Sequence, residues 1–167
     1  TGASNALSGN VIQDTTENGI YSNAYNSTIT NLNRIITSGK NGIVLRGSNS
    51  LVQNAYIEDS KENGISIESQ FSVIAVNTIN NTNKSAIVVG GMSNTIGNNS
   101  MDNSGIILNE TESSENLKSN NIQGNNRINV GQTGGPYYVH FVKDQTGGTI
   151  NSASYRCILM VDCNGVT

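Results

Sequence analysis

The chain has 167 residues, a formal net charge of −3 and only 13% charged residues. This balance gives no electrostatic reason to expect binding to nucleic acid or to an anionic membrane surface. No apolar run approaches the roughly 18 residues that a membrane-spanning helix needs, so we expect no membrane insertion. The polarity comes from Asn, Ser, Thr and Gly, which suits short strands joined by tight turns. Because the chain begins with Thr1 rather than Met, we expect it to be part of a longer protein.

The strands predicted along most of the chain repeat with a period of about 22 residues. The first ladder consists of segments of the type N-G-I-x-[aliphatic]. Their Gly or Ala positions are Gly19, Gly42, Gly64, Ala86 and Gly105, which are spaced by 23, 22, 22 and 19 residues. The second ladder is Ile29, Val52, Ile74, Ile96 and Leu117, and the third is Ile12, Ile35, Ile57, Ile79, Met101 and Ile122. Three aliphatic ladders with one period predict three short strands per coil. Alternation along each strand places Ile43 and Leu45 inside the coil and Val44 outside it.

A polar column is predicted inside the same coils. Two residues before each member of the third ladder stand Asn10, Asn33, Ala55, Asn77, Asn99 and Asn120. By parity these side chains face inward, and buried amides must be hydrogen-bonded. We therefore expect the Asn side chains to bond from coil to coil and to the backbone of a turn.

These motifs resemble the pectin-lyase-like right-handed parallel β-helix superfamily. The resemblance covers residues 1 to about 130, and it implies an all-β fold of about five coils. The superfamily includes pectate lyases, polygalacturonases, alginate epimerases and phage tailspikes, so the fold alone does not settle the function.

The repeat fails after Ile122, and the remaining strands follow a different pattern. We therefore predict a parallel β-helix over residues 1–130 and a C-terminal β-strand region over residues 131–167, which either caps the last coil or begins a second domain. The arrangement resembles phage tailspikes and tail or neck appendages. His140 is the single histidine, so no metal site or cofactor is expected. The pattern leaves the role of Cys157 and Cys163 open.

One outer face of the third strand carries the candidate site. Its outward columns contain Arg34, Tyr56, Glu58, Asn80 and Asp102. An aromatic ring, amides and carboxylates on one face suit a sugar chain, with Arg34, Tyr56 and Asn80 as binding residues. Glu58 and Asp102 lie two rungs apart, roughly 9–10 Å at the backbone. Because inverting glycosidases hold their carboxyl groups about 6.5–9.5 Å apart, this pair could act as acid and base.

Three functions follow from this pattern, and the sequence leaves all three open. The leading prediction is a tailspike or appendage fragment that binds a host cell-surface polysaccharide, located in the virion tail or, alternatively, secreted. The second is a polysaccharide-degrading enzyme, a hydrolase or lyase, although the carboxylates that a calcium-dependent lyase needs are missing. The third is a structural shaft without a binding site of its own.

The outward positions of the first strand predict an oligomer. Most of these positions are apolar, and stacking would make them one stripe of Tyr21, Val44, Val88 and Ile107, interrupted by Ser66. A monomer rarely leaves such a stripe in water. Tailspikes, which the chain resembles, are parallel homotrimers, so the stripe predicts a homotrimer about a shared axis.

Overall fold

The computed structural model describes residues 4–31, 33–101, 105–108, 118–125, 128–131, 138–143, 146–151, 157–161 and 164–166. All regular elements in these ranges are β-strands, and every strand pair is parallel. No helix in the described part of the chain is long and apolar enough to cross a membrane. The strands form a parallel β-solenoid of about 4 turns, which confirms the predicted fold class with slightly fewer coils than expected.

Each regular coil contributes one strand to each of three sheets. Sheet A has eight strands, in the order β1 (Ala6–Ser8), β4 (Thr28–Thr30), β7 (Leu51–Gln53), β10 (Val73–Ala75), β13 (Thr95–Gly97), β16 (Lys118–Gln123), β18 (Tyr138–Lys143) and β20 (Cys157–Val161). Sheet B has five, β2 (Val11–Thr15), β5 (Arg34–Ser38), β8 (Tyr56–Glu58), β11 (Thr78–Asn80) and β14 (Ser100–Met101). Sheet C has five, β3 (Ile20–Ser22), β6 (Ile43–Leu45), β9 (Ile65–Ile67), β12 (Ile87–Val89) and β15 (Ile106–Leu108). A smaller sheet D pairs β17 (Ile128–Gly131), β19 (Thr146–Asn151) and β21 (Asn164–Val166).

The aliphatic ladders form the core in the predicted register. Ile35 pairs with Ile57, Ile57 with Ile79, and Ile79 with Met101. The three isoleucines have no solvent exposure and Met101 has 3%. The Gly column is required by the same packing, because a Cβ added at Gly42 would lie 2.5 Å from the Cγ2 of Ile57. Glycine thus lets the corner approach the core side chain of the next coil.

The Asn column is confirmed as a buried network at Asn33, Asn77 and Asn99, whereas Asn10, in the first coil, is exposed. Asn99 donates to the carbonyl of Ile74 at 3.0 Å and to the Oδ1 of Asn125 at 2.8 Å. Asn77 is equally buried and makes the corresponding two bonds, while the buried Asn33 donates to the carbonyls of Leu7 and Thr30. A second buried column, which the sequence analysis missed, contains Ser27, Ser50, Ser72 and Asn94.

The last regular coil corrects the predicted register. Ile122 pairs with Ile96 in sheet A, not with Met101 in sheet B. Asn125, rather than Asn120, continues the Asn column, 26 residues after Asn99. The prediction assumed a constant period, whereas this coil has additional residues between β15 and β16. Leu117, predicted for the second ladder, lies outside the described residues.

Part of the predicted C-terminal region continues the first sheet. Val142 of β18 pairs with Ile122 of β16 on one side and with Met160 of β20 on the other. Both pairings are parallel, so these strands extend the stack. The division of the chain at residue 130 into two domains stays a prediction.

The corners of the coils account for part of the high Asn content. In the described part of the chain, thirteen residues other than glycine have positive φ, and they recur at the coil period in three columns, one at each corner. Six of the thirteen are Asn: Asn26, Asn31, Asn49, Asn54, Asn81 and Asn98. Asn tolerates this left-handed conformation better than other residues with a Cβ because its short polar side chain bonds locally. The sequence composition therefore reflects the sharp turns that a solenoid coil needs.

Candidate functional site

Four of the five predicted site residues meet on the outer face of sheet B. Tyr56 lies between Arg34 and Thr78 in the register, and Glu58 lies between Ile36 and Asn80. Alternation along the strand explains this placement, since Ile35, Ile57 and Ile79 fill the core and their neighbours point outward. We call the group of Arg34, Tyr56, Glu58 and Asn80 the sheet B site.

Three side chains of the sheet B site are in contact, Arg34 with Tyr56 and Tyr56 with Glu58. The Cζ atom of Arg34 lies 5.5 Å from the centre of the Tyr56 ring, a cation–π distance. The hydroxyl of Tyr56 donates a hydrogen bond of 3.1 Å to the Oε2 of Glu58. Arg34 is exposed, whereas Tyr56 and Glu58 are half-buried. The contacts bring an aromatic ring, a cation and a carboxylate together on the outer face of the sheet.

The structure describes only one residue of the predicted acid–base pair. Glu58 is in place on β8, and Asp102 lies outside the described residues. The described geometry therefore gives a carboxylate that accepts a hydrogen bond from a tyrosine. In the same part of the chain, no three His, Cys, Asp or Glu residues lie close enough together to hold a metal ion.

A polar corner extends the sheet B site beyond the predicted residues. Asp59, directly after β8, accepts a hydrogen bond from the side-chain amide of Asn81, directly after β11. Both residues have positive φ. The sequence analysis missed this pair, although its 22-residue separation was the available signal. The sheet B site thus borders a carboxylate–amide contact at the coil corner.

Sheet C carries a similar arginine–tyrosine contact. The Cζ of Arg46 lies 5.5 Å from the centre of the Tyr21 ring, and its Nη1 donates to the Tyr21 hydroxyl at 3.0 Å. The Nε of Arg46 also forms an ion pair with Glu68 on the adjacent rung, at 2.6 Å. The hydrogen bond and the charge of Glu68 raise the pKa of Arg46. Surface ion pairs of this kind contribute at most about 1 kcal/mol.

The apolar stripe predicted on sheet C is only partly exposed. Val44 faces outward but is 4% exposed, because it lies between Tyr21 and Ser66 and the neighbouring Arg46 extends to Tyr21. The expectation that Val44 is an exposed member of the stripe was therefore wrong. Tyr21 is 50% exposed, Val88 is half-buried, and the side chain of Ile107 lies outside the described part.

An alternating ladder of charges follows the corner before sheet C, and the sequence analysis missed it. Lys40 bonds to Glu17 at 2.5 Å and Lys84 bonds to Glu62 at 3.4 Å. Their backbones are also hydrogen-bonded from coil to coil. The hydrogen bond to Glu17 raises the pKa of Lys40. Opposite charges on consecutive rungs avoid repulsion between stacked side chains.

Comparison of the chain with protein-family models, with curated proteins and with solved structures gave no match.

Proposed function

We propose that this chain is a rigid segment of a phage tailspike or of a tail or neck appendage, and that it binds a host cell-surface polysaccharide. The observation that carries the proposal is the sheet B site, where a tyrosine ring, an arginine, a carboxylate and an amide lie on adjacent rungs. The resemblance to the pectin-lyase-like superfamily supports the polysaccharide as ligand. The proposed location is the virion tail.

The shape of the surface supports an extended ligand. Rungs repeat about every 4.8 Å along the solenoid, so equivalent side chains form parallel rows. A sugar chain lying along the rows meets Arg34, Tyr56 and Thr78 in sequence, with Glu58 and Asn80 beside it. Arginine and amide groups donate to sugar hydroxyls, and the glutamate accepts from them.

The interior supports a rigid scaffold. Buried amides and hydroxyls bond from coil to coil in two columns besides the backbone ladder, with one gap at Ala55 in the amide column. A site on such strands keeps its geometry without ordering a loop, so binding does not require that entropy cost.

Retention on host capsular or cell-wall polysaccharide tests the proposal. Arg34→Ala is expected to weaken retention at least about tenfold, because it removes a donor from the sheet B site. Arg46→Ala is the matched control, since it removes an arginine with the same ring distance of 5.5 Å from another sheet. Equal retention of both variants and the parent contradicts the assignment to sheet B.

The same incubation separates binding from hydrolysis. If the parent releases new reducing ends and Glu58→Gln does not, the result supports the alternative function, a polysaccharide-degrading enzyme. Retention with no new reducing ends supports the binding function, and neither retention nor cleavage supports a shaft without a site.

A further inference from the structure

One coil has apolar residues at corner positions that suit polar ones. Phe71 and Val76 have φ of 54° and 58°, in the left-handed region. Both are exposed, at 59% and 47%, and Val73 between them is 38% exposed. Six large apolar side chains in the described part of the chain are exposed, and three of them belong to this one segment.

The equivalent residues of other coils show that the fold does not require these side chains. In the column of Phe71, the other left-handed residues are Ser4, Asn26, Asn49 and Ser93. In the column of Val76 they are Gly9, Asn31, Asn54, Asn98 and Gly124. Every alternative is small or polar, as this backbone conformation favours. The coil containing Phe71 and Val76 departs from the pattern at both of its corners that flank sheet A.

The departure is unfavourable for folding at both positions. A β-branched or bulky residue with positive φ is a backbone outlier, and such outliers concentrate at functional sites. Neither side chain gains burial in the core, because both are exposed. The strain therefore has no compensation within the described part of the chain, which indicates that something outside it contacts these residues.

The surroundings restrict what that contact can be. On the rungs to either side, Leu51 and Thr95 flank Val73, while Gln53 and Gly97 flank Ala75. The described outward side chains of sheet A from β1 to β13 include no charged group. The neighbouring rungs offer the amide of Gln53 on one side and the hydroxyl of Thr95 on the other, beside the partly buried Leu51 and the buried Gly97. A neutral ligand with an apolar face and polar edges fits this pattern.

The size of the strip argues against a second protein. Three partly exposed side chains offer roughly a few hundred Å², below the about 800 Å² per partner of a stable protein interface. A sugar ring has C–H faces that pack on aromatic and aliphatic side chains, and hydroxyl edges that bond to Gln and Thr. We infer that the segment 71–76, with its neighbouring rungs, is a second saccharide-binding site, specific for uncharged sugars and separate from the sheet B site. The inference shares with the proposed function only the class of ligand.

The double variant Phe71→Asn with Val76→Asn tests this site without weakening the fold. Asn relieves the backbone strain, so the thermal midpoint is expected to rise by a few degrees. Loss of binding in a more stable protein cannot come from misfolding. Thr37→Asn is the matched control, because Thr37 has a φ of 55° at a corner distant from sheet A. Affinity electrophoresis in gels containing hydroxyethyl cellulose, dextran or galactomannan provides neutral probes, and polygalacturonate provides a charged one.

We expect at least one neutral polysaccharide to slow the migration of the parent and of the Thr37→Asn variant. For the double variant, we expect the apparent affinity for that polysaccharide to be at least about tenfold lower. No retardation by any neutral probe, or equal retardation of the double variant, overturns the inference. If Arg34→Ala loses binding and the double variant keeps it, the inference is overturned and the proposed function stands. If the double variant loses binding and Arg34→Ala keeps it, the inference is supported and the assignment to the sheet B site is contradicted. If the double variant converts an oligomer to a monomer in sedimentation, the occupant is a second copy and the saccharide assignment is wrong.

Discussion

Truncation of Asn77 tests the buried amide column directly. The side chain donates to the carbonyl of Val52 at 3.2 Å and to the Oδ1 of Asn99 at 2.9 Å, and it accepts from the backbone N–H of Ala55 at 2.9 Å. Asn77→Ala removes all three bonds. The N–H of Ala55 is then left in a site where its residue is 3% exposed.

The magnitude follows from the groups left without partners. An unsatisfied buried polar group costs about 1–3 kcal/mol, and a net hydrogen bond contributes about 1 kcal/mol. The Oδ1 of Asn99 keeps the backbone N–H of Asn77 as a donor, so its loss is partial. We expect the free energy of unfolding to fall by about 3 kcal/mol. The natural Ala55 shows that the column tolerates one gap, but Asn77→Ala places two gaps on consecutive rungs.

Urea unfolding followed by circular dichroism measures this change. Asn23→Ala, at an exposed Asn, is the control and is expected to stay within about 0.5 kcal/mol of the parent. A midpoint for Asn77→Ala equal to that of the control would refute the role of the column in stability.

Three further changes test the packing and the assembly. Ile57→Asp places a charge at a position with no exposure, so a β-rich circular dichroism spectrum in this variant would contradict the register. Gly42→Ala would bring a Cβ 2.7 Å from the carbonyl oxygen of Gly64, so we expect the free energy of unfolding, measured by thermal unfolding, to fall by about 1–3 kcal/mol. Ala86→Gly is the comparison, because its site already holds a Cβ and the change creates no such clash. If the chain forms a homotrimer through Tyr21 and Val88, we expect the Val88→Glu variant to sediment as a folded monomer. If the parent chain itself sediments as a monomer at high micromolar concentration, that assembly is excluded for this chain.

The fold was predictable because its signal is periodic and redundant. Ile35, Ile57 and Ile79 each belong to a column whose members share burial and phase, so one ladder checks another. The error at Ile122 came from extending a constant period into a coil with extra residues. Nothing in the period showed which ladder Ile122 would join.

The sites were less predictable, because exposure depends on neighbouring side chains as well as on strand parity. Parity placed Val44 outside correctly, but the reach of Arg46 over adjacent rungs decides its exposure. Likewise, the sequence shows that Arg34 and Tyr56 are one coil apart, but their contact depends on the rotamers of both side chains, which the repeat does not determine. The unusual φ of Phe71 and Val76 becomes visible only when the corner columns are aligned in space.

The common phase of the columns has a consequence for how such a chain changes length. Core, amide, hydroxyl and corner columns all repeat at 22 residues between the third and fourth coils. Excision or duplication of one complete unit at a corner would join strands whose inward and outward residues still match their new neighbours. Unequal recombination can therefore lengthen or shorten the molecule by whole rungs, while a deletion of any other size along a strand reverses its faces or breaks a column. The bond between Asn99 and Asn125, which are 26 residues apart, shows that the amide column also continues across a coil of another length.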